Sequence, residues 1–292
     1  MRVVTFEDEE GSRIGVLEGE DIADICGVDG RLPRDLIALC GGGDEASSAV
    51  RAAFGRAQRL PMSRVRLRAP FPTPRRNLFC VGKNYHEHAQ EFHASGFDAS
   101  SSSAIPDLPI IFTKAPSSVI APGHPIPASR DPTHSVDYEG ELAVVIGRGG
   151  RGVSKATAFS HVFGYTIVND VTSRTLQHAH KQWFLGKSRD GFCPMGPCVV
   201  TADEIPDVGR LRLQTFVNGE PRQDASVSDL IFDIPTLIEA ISEGITLQPG
   251  DIIATGTPVG VGIGFKPPKF LTPGDLVSIV IEPIGALTSP VE

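Results

Sequence analysis

Two glutamates one residue apart, Glu139 and Glu141, lie within the apolar run 136–146. β-Branched residues dominate this run, which predicts a strand in which residues i and i+2 face the same side. Both carboxylates would then project together beside buried side chains, where like charges repel and lose hydration. A divalent cation such as Mg²⁺ would offset that cost, because it prefers carboxylate oxygens. Asp170, at the end of the apolar stretch 163–170, could supply a third carboxylate.

A solvated strand face is the plainer explanation of the glutamate pair. Acidic residues at this spacing are common on such faces, and short motifs have many chance matches. Asp137 shares the predicted face, where it could be a further ligand, a group that supports the ligands or a solvated charge. The pattern by itself leaves a metal site and a solvated face both open.

The segment 84–91 carries a second candidate for chemistry. In the helix predicted there, His88 and Glu91 are three residues apart and lie on one face. A carboxylate that orients a histidine gives a general base for a water or for a carbon acid. A zinc HExxH site does not fit, because His93 is five residues beyond His88. A solvated helix face would show the same pair.

Three further segments carry residues that suit an anionic substrate. Lys187 follows an apolar turn, and its charge could neutralise an enolate or bind a carboxylate. Arg174 is a natural bidentate partner for a carboxylate and is followed by Gln177. The glycine-rich segment 254–262 would let backbone N–H groups approach an anion, although a tight turn explains its glycines equally well.

The segment 147–152 reads GRGGRG and matches the GxGxxG fingerprint of dinucleotide-binding proteins. It follows a predicted strand, and Asp170 lies at a suitable distance beyond it, so an NAD-dependent dehydrogenase is a remote alternative. Three features weaken it. The next helix is short and starts at Ser154, the preceding strand carries acidic residues, and the chain shows no alternation of strands and helices.

The composition is that of an ordinary globular protein, with 40% hydrophobic and 21% charged residues among 292. A net charge of −8 argues against nucleic-acid and membrane-surface partners, which need clustered Lys and Arg. No apolar run is long enough to span a membrane, and the acidic N-terminus lacks a signal core. The five cysteines form no CxxC pair, which favours buried thiols and a cytoplasmic location.

Short apolar runs separated by Gly and Pro predict an α+β protein that is mainly β. Strands are expected at 78–81, 110–112, 142–146, 165–168, 199–200, 211–217, 252–255 and 276–281. Helices are expected at 87–93, 155–162 and 234–242. The irregular spacing and the scarcity of crossover helices favour a mixed or antiparallel sheet over a parallel one.

The first block of the chain predicts a small N-terminal α/β domain, residues 1–72, ahead of a catalytic domain, residues 73–292. A hairpin is expected at 3–6 and 13–17, with helices at 35–39 and 45–58. The proline-rich stretch 69–74 would be the linker. The Ser-rich segment 94–104 follows the His88 helix, and it is either a lid over the site or an inert surface loop.

The motifs in the second block resemble the fumarylacetoacetate hydrolase family over residues 77–292, in its longer branch with a small N-terminal domain. The matching pieces stand in the family's order: VGKNYHEHAQE, PIIFTKAPSSVIAPG, DYEGELAVVIG, GYTIVNDVTSR, KQWFLGKS, FCPMGP and TGTPVGVG. One such piece would be weak evidence, whereas the ordered set is highly specific.

The resemblance implies a mixed β-roll core, a homodimer, and a Mg²⁺ or Mn²⁺ ion bound by Glu139, Glu141 and Asp170. It places the catalytic dyad on His88 and Glu91, on a segment that closes as a lid, and an active-site lysine on Lys187. The positions matching the substrate-binding residues are Arg174, Gln177 and Thr257. The family often has Asp after the arginine, where this chain has Thr175. That departure puts the surroundings of Arg174 in doubt.

The activity that the resemblance implies is hydrolysis of a C–C bond in a small 2-oxo acid such as an acylpyruvate, through an enolate that the metal stabilises. The same site would serve as an oxaloacetate tautomerase or decarboxylase, or as a 2-hydroxy-dienedioate isomerase or hydratase. A metal-binding protein without activity is a further alternative, which the presence of His88, Glu91 and Lys187 disfavours.

Overall fold

The computed structural model describes residues 1–98 and 103–292. Its strands are β1 (Arg2–Asp8), β2 (Gly11–Glu18), β3 (Asp21–Asp24), β4 (Gln58–Pro61), β5 (Arg66–Leu67), β6 (Leu78–Gly82), β7 (Ile110–Lys114), β8 (Val119–Ile120), β9 (Val136–Asp137), β10 (Gly140–Ile146), β11 (Val162–Asn169), β12 (Thr172–Ser173), β13 (Cys193–Thr201), β14 (Arg212–Val217), β15 (Glu220–Ser226), β16 (Ile252–Ala254), β17 (Leu276–Ile281) and β18 (Gly285–Pro290).

The α-helices are α1 (Leu36–Gly41), α2 (Gly43–Phe54), α3 (His86–Ala94), α4 (Arg174–Ala179), α5 (Phe184–Lys187) and α6 (Ile234–Gly244). Short 3₁₀ helices cover Met62–Arg64, Pro116–Ser118, Ala128–Arg130, Lys155–His161, Ala202–Glu204, Val208–Arg210, Val227–Asp229 and Gly262–Gly264. In the described part of the chain, no helix has the length and apolar character needed to cross a bilayer.

Most strands belong to one twelve-stranded mixed sheet, in the order β4-β3-β2-β1-β13-β11-β10-β16-β6-β7, with β5 on β1 and β8 on β13. Its pairs are antiparallel except β16–β6 and β13–β8. A second, antiparallel sheet has the order β15-β14-β17-β18, and β9 pairs with β12. The predicted fold class, α+β and mainly β with a mixed sheet, is confirmed.

Strand β10 lies in the middle of the large sheet and is buried along its whole length. Leu142, Val144 and Ile146 pack into one hydrophobic cluster, while Ala143 and Val145 pack into another. Side chains of a strand alternate between the two faces, so both faces of the sheet are covered. This explains why the run is continuously apolar, and why polar atoms near it must find partners inside the protein.

One continuous strand over residues 136–146 was predicted, and this is wrong. The strand is interrupted at Tyr138 and Glu139. Strand β9, before the interruption, pairs with β12, whereas β10, after it, pairs with β11 and β16. The N–H of Glu139 donates to the side-chain oxygen of Asn169, at 3.0 Å, instead of to the backbone of a neighbouring strand. Glu139 therefore precedes the strand that carries Glu141.

The other predicted strands are all present, with some bounds shifted, and the helices expected at 87–93 and 234–242 correspond to α3 and α6. The helix expected at 155–162 is a 3₁₀ helix, Lys155–His161. Strands β3, β4, β5, β8, β12, β15 and β18 and helices α4 and α5 were not predicted, because they are short or lack a clear apolar period.

The GRGGRG segment has no dinucleotide-binding context. Strand β10 before it pairs antiparallel with both of its neighbours, and the next helical element is the 3₁₀ helix that begins at Lys155. A dinucleotide fingerprint requires a parallel strand that leads directly into an α-helix at the third glycine. The segment here bends instead, and Gly150 forms an isolated β-bridge with Leu247.

The N-terminal residues form the predicted hairpin, β1 and β2, and helices α1 and α2 near the predicted positions. The helix expected at 45–58 ends at Phe54, and Gln58 begins strand β4. The side chain of Asp35 caps α1 by accepting the N–H of Ala38 at 2.7 Å. Strand β1 also pairs with β13, through Arg2 with Val200 and Val3 with Val199. The first 72 residues thus extend the large sheet, and their independence as a domain stays a prediction.

Candidate active site and metal centre

The predicted carboxylates lie together where the antiparallel strands β10 and β11 meet. Gly140 pairs with Asn169, so the start of β10 lies beside the end of β11 and brings Glu139, Glu141 and Asp170 together. One oxygen from each of the three lies within 4.8 Å of the others, and all three residues are buried. Octahedral Mg²⁺ or Mn²⁺ with ligands at about 2.1 Å places neighbouring ligand oxygens about 3 Å apart and opposite ones about 4.2 Å apart. The carboxylates fit such an ion with small shifts.

Basic side chains compensate two of these carboxylates. The Lys187 ammonium is 2.6 Å from Glu139 and 2.7 Å from Asp170. Lys114, which is fully buried, is 2.6 Å from Asp170 and also donates to the carbonyl oxygens of Val171 and Lys187. A carboxylate oxygen has two lone pairs, so an oxygen that accepts from Lys187 retains one for a metal ion.

Glu141 is different, because no ion pair to it is found among the described residues. Its carboxylate accepts the N–H of Gly256 at 2.9 Å. Burial, with the charges of Asp170 and Glu139, raises its pKa well above the usual range. Burial acts against ionisation of Glu139 too, but Lys187 and Arg174 outweigh it and hold the pKa of Glu139 at about 2. The negative charge that the protein compensates least is therefore that of Glu141, and a divalent cation would compensate it.

The pKa of Lys187 is raised, although burial opposes its charge, because Asp170 and Glu139 lie next to it. Lys187 therefore stays an ammonium ion at neutral pH. This fixed positive charge beside the carboxylates is suited to stabilising negative charge that develops on a substrate.

Asp137 holds Arg174 and is not a solvated charge. It is fully buried, and it accepts the Arg174 Nε–H at 2.9 Å and the backbone N–H groups of Gly262 and Ile263 at 2.6 and 3.1 Å. Thr175, at the position where the family often has Asp, is exposed. Arg174 is therefore oriented by Asp137, and the departure at position 175 does not remove its partner.

Arg174 keeps one buried nitrogen available. Its Nη1 is 2.6 Å from Glu139 and donates to the Gln177 side-chain oxygen at 3.3 Å. Its Nη2 is buried and has no hydrogen-bond partner among the described residues. Buried polar atoms are rarely left unpaired, so this nitrogen is suited to the carboxylate of a ligand.

His88 and Glu91 form the predicted pair on one face of α3. His88 Nδ1 is 3.1 Å from Glu91 Oε2, and Glu91 also accepts the N–H of Gly260, at 3.1 and 3.3 Å to its two oxygens. The carboxylate accepts, so Nδ1 carries the ring proton and Nε2 is left as an acceptor. Gly260 has a φ of +103°, and a Cβ at this position would collide with the Arg222 carbonyl oxygen, so only glycine fits there.

A narrow pocket, with a cavity volume of about 10 Å³, lies between α3 and the carboxylates. Its lining comprises Val81, Gly82, Lys83, His88, Phe92, Phe112, Glu139, Arg174, Gln177, Trp183, Lys187 and Thr257. The structure thus brings all nine predicted site residues together, because Glu91 contacts His88, and Glu141 and Asp170 each have an oxygen within 4.8 Å of Glu139. Whether each has its expected role stays a prediction.

Two lysines and an aromatic wall were missed from the sequence. Lys114 is the last residue of the apolar strand β7. A lysine at the end of an apolar strand was the one sequence signal that could have marked it as a site residue. Lys83 follows β6 with a φ of 55°, and its ammonium is 2.8 Å from Asp98. Phe112 packs edge-on against Trp183. The sequence around these aromatic residues does not distinguish a pocket wall from a hydrophobic core. Residues 99–102 of the predicted lid lie outside the described residues.

The model of the family described as "Fumarylacetoacetate (FAA) hydrolase C-terminal" matches residues 77–292. The chain belongs to this family of enzymes, which act on small acids.

Among its relatives is the oxaloacetate tautomerase YisK of Bacillus subtilis, 53% identical over 230 residues, which are 79% of this chain and 74% of the relative. A fumarylacetoacetate hydrolase from Exiguobacterium antarcticum matches with a TM-score of 0.86 and 43% identity, over 100% of this chain and 99% of the other. A maleylpyruvate hydrolase from Sphingobium sp. SYK-6, in complex with manganese(II) and pyruvate, matches with a TM-score of 0.80 and 33% identity, over 100% and 98%.

Proposed function

We propose that this protein is a divalent-metal-dependent keto–enol tautomerase of oxaloacetate or a closely similar small 2-oxo dicarboxylate. The observation that favours tautomerisation over bond cleavage is the 53% identity with the oxaloacetate tautomerase of B. subtilis. The geometry supports the proposal, because a histidine with an available Nε2 and an arginine with an available Nη2 line one pocket.

Glu139, Glu141 and Asp170 would hold the metal ion, Mg²⁺ or Mn²⁺. A divalent ion bound there would supply Lewis acidity toward a 2-oxo group. Arg174 Nη2 would bind a substrate carboxylate. The hydrogen bond from Arg174 Nε to Asp137 fixes the direction in which the guanidinium donates. Gln177 and Thr257 complete the polar lining of the pocket.

His88 would move the proton. Its Nε2 would take a proton from the carbon next to the 2-oxo group. The C–H electron pair becomes the C=C bond, the C=O π pair moves to oxygen, and that oxygen gains a proton from water to give the enol. Glu91 accepts from Nδ1 and stabilises the imidazolium that results. Lys187 donates a hydrogen bond toward the substrate oxygen on which negative charge develops, because its ammonium stays charged beside Glu139 and Asp170.

Hydrolysis of an acylpyruvate, which the sequence favoured first, is the second candidate function. The intact His88–Glu91 pair could equally take a proton from a water, and the maleylpyruvate hydrolase of Sphingobium shares the fold at 33% identity. The two functions differ in what His88 deprotonates, a carbon or a water. Decarboxylation and dienedioate isomerisation use the same groups. The homodimer, the cytoplasmic location and the choice between Mg²⁺ and Mn²⁺ stay predictions.

The deciding experiment follows purified protein with oxaloacetate, acetylpyruvate and fumarylpyruvate, with Mg²⁺ or Mn²⁺ and then with EDTA. Tautomerisation is followed by the ultraviolet absorbance of the enol, and cleavage by pyruvate release. We expect metal-dependent acceleration of oxaloacetate enol–keto exchange above the spontaneous rate. Pyruvate release from an acylpyruvate without tautomerase activity would assign the protein to the hydrolases instead.

We expect His88→Gln to lower kcat by about 100- to 10,000-fold, which is the range for loss of a general base. Metal affinity should stay within about twofold, because His88 makes no contact with Glu141 or Asp170 among the hydrogen bonds of the described residues. Steady-state kinetics and calorimetric Mn²⁺ titration measure the two effects.

The matched control for this variant is His86→Gln, an exposed position on the same helix. It should behave as wild type. Retention of more than half of the wild-type kcat by His88→Gln would remove the histidine from the mechanism.

A further inference from the structure

We propose that Gln223 is a positioning residue that makes the hydroxyl of Thr257 a hydrogen-bond donor toward the substrate. This inference rests on the proposed function, because it assigns the direction of a contact within that same pocket. Gln223 lies on β15, outside every motif that the sequence analysis singled out.

Gln223 is unusual for its strand. β15 lies at the edge of the four-stranded sheet, and Gln223 is its one buried residue, with 1% exposure. A glutamine is rarely buried to this extent unless its amide is fully used. Its side chain reaches from this edge strand toward the centre of the protein, where it meets both the carboxylate strand and the Thr257 segment.

The orientation of the Gln223 amide follows from its partners. Its oxygen accepts the N–H of Gly140 at 3.0 Å, and its nitrogen donates to the Pro258 carbonyl at 2.8 Å. A backbone N–H can only donate and a carbonyl can only accept, so the amide cannot be turned around. The nitrogen therefore also donates to Thr257 Oγ1, at 2.7 Å.

This contact determines what Thr257 can do. Its hydroxyl has one proton and two lone pairs, and Gln223 uses a lone pair. The proton of Thr257 must then point to another acceptor, and the residue lines the pocket beside Lys187 and Arg174. The carboxylate and oxo groups of a 2-oxo acid offer only acceptors, so a fixed donor is the useful state of this hydroxyl toward them.

Gln223 also joins two parts of the site that are distant in sequence. Gly140, whose N–H it binds, lies between Glu139 and Glu141, so the side chain sets Thr257 at a defined place relative to both carboxylates. A side chain at position 140 would collide with Thr215, and this keeps the backbone open to Gln223. The same side chain thus holds the strand of the carboxylates and the substrate-facing hydroxyl in register.

The test is a double-mutant cycle between Gln223→Glu and Thr257→Val in the metal-loaded protein. Gln223→Glu preserves the acceptor for Gly140 but removes the donor to Thr257. We expect each single variant to lower kcat/KM for oxaloacetate by about 10- to 100-fold. The double variant should be no worse than the poorer single one within about twofold, because both remove the same contact.

The affinity for pyruvate, measured by calorimetry, should show the same non-additive pattern in the absence of turnover. Thermal unfolding should show that all variants are folded. Gln58→Glu, the same change at an exposed position, is the control and should leave kcat/KM unchanged. If Gln223→Glu does not fold, the neutral Gln223→Met takes its place in the cycle.

If Gln223→Glu lowers kcat/KM by the same factor in Thr257→Val as in wild type, the two substitutions act independently and the proposal is overturned. Wild-type kcat/KM in Gln223→Glu would also overturn it. A wild-type protein that binds metal and pyruvate but turns over no 2-oxo acid would contradict the proposed function instead, and the pyruvate-binding cycle would still decide the role of Gln223.

Discussion

The Glu141→Gln protein is expected to fold as well as wild type and to lose both its metal ion and its activity. The glutamine oxygen can still accept the N–H of Gly256, which is the hydrogen bond that Glu141 makes. It cannot supply the negative charge that a hard divalent cation requires. We expect metal affinity to fall by at least about 100-fold, because loss of a group that only orients a ligand costs roughly 10- to 100-fold.

The unusual part of this prediction is the stability of the metal-free protein. A buried carboxylate without a cation is costly, and Glu141 has no ion pair among the residues of the described ranges. Replacing this carboxyl group by an uncharged amide should leave the free energy of unfolding of the metal-free protein unchanged or increased. Urea unfolding with EDTA present measures this, and Mn²⁺ titration by calorimetry measures the affinity.

Glu243→Gln makes the same chemical change at an exposed position of α6 and should alter neither quantity. Wild-type Mn²⁺ affinity in Glu141→Gln would show that Glu141 is not a ligand. A marked loss of stability in the metal-free variant would show that the carboxylate has a partner of another kind.

The Asp170→Ala protein is expected to lose its metal ion too, but at a large cost in stability. Asp170 is the shared partner of Lys114 and Lys187, and all three side chains are almost completely buried. Removing one member of a buried ion pair typically costs about 3–5 kcal/mol, because the remaining charge is left without compensation. The free energy of unfolding of the metal-free protein, measured in urea with EDTA, should fall by about that amount.

A second substitution separates this cause from a simple cavity. In Asp170→Ala combined with Lys114→Met, one uncompensated ammonium is gone, and the double variant should be more stable than Asp170→Ala alone. Asp224→Ala is the matched control, because Asp224 pairs with the exposed Arg212 at the protein surface and should change stability little. A double variant less stable than the single one would contradict the ion-pair explanation.

Asp170→Asn, which like Glu141→Gln replaces a carboxylate by an amide of the same shape, makes the contrast between the two positions a direct test of the charge arrangement. Both residues are buried carboxylates of the same cluster, so a metal site with three equivalent ligands would predict equal effects on the metal-free protein. The structure instead gives Asp170 two cations and Glu141 none in the described part of the chain. Loss of the Asp170 charge is therefore expected to lower stability, whereas loss of the Glu141 charge is not.

Much of this site could be predicted from the sequence, because its signals are local. The strands follow from short β-branched runs, and the His88–Glu91 contact follows from the spacing of three residues on one helix. The glutamate pair was found by its place at the start of a buried strand. The ordered motifs then identified the family, which the match over residues 77–292 confirms.

What only the tertiary structure decided depends on contacts between distant parts of the chain. Gln223 meets Gly140 across 83 residues, and the N–H of Gly256 meets Glu141 across 115. Strand periodicity reports which face of an element is buried, but it does not report which other element covers that face. The break of the strand at Glu139 has the same origin, because the partner of the chain changes there from β12 to β11. The sequence alone thus determined which residues could do chemistry, and the tertiary structure decided which charges are compensated and which donors remain available.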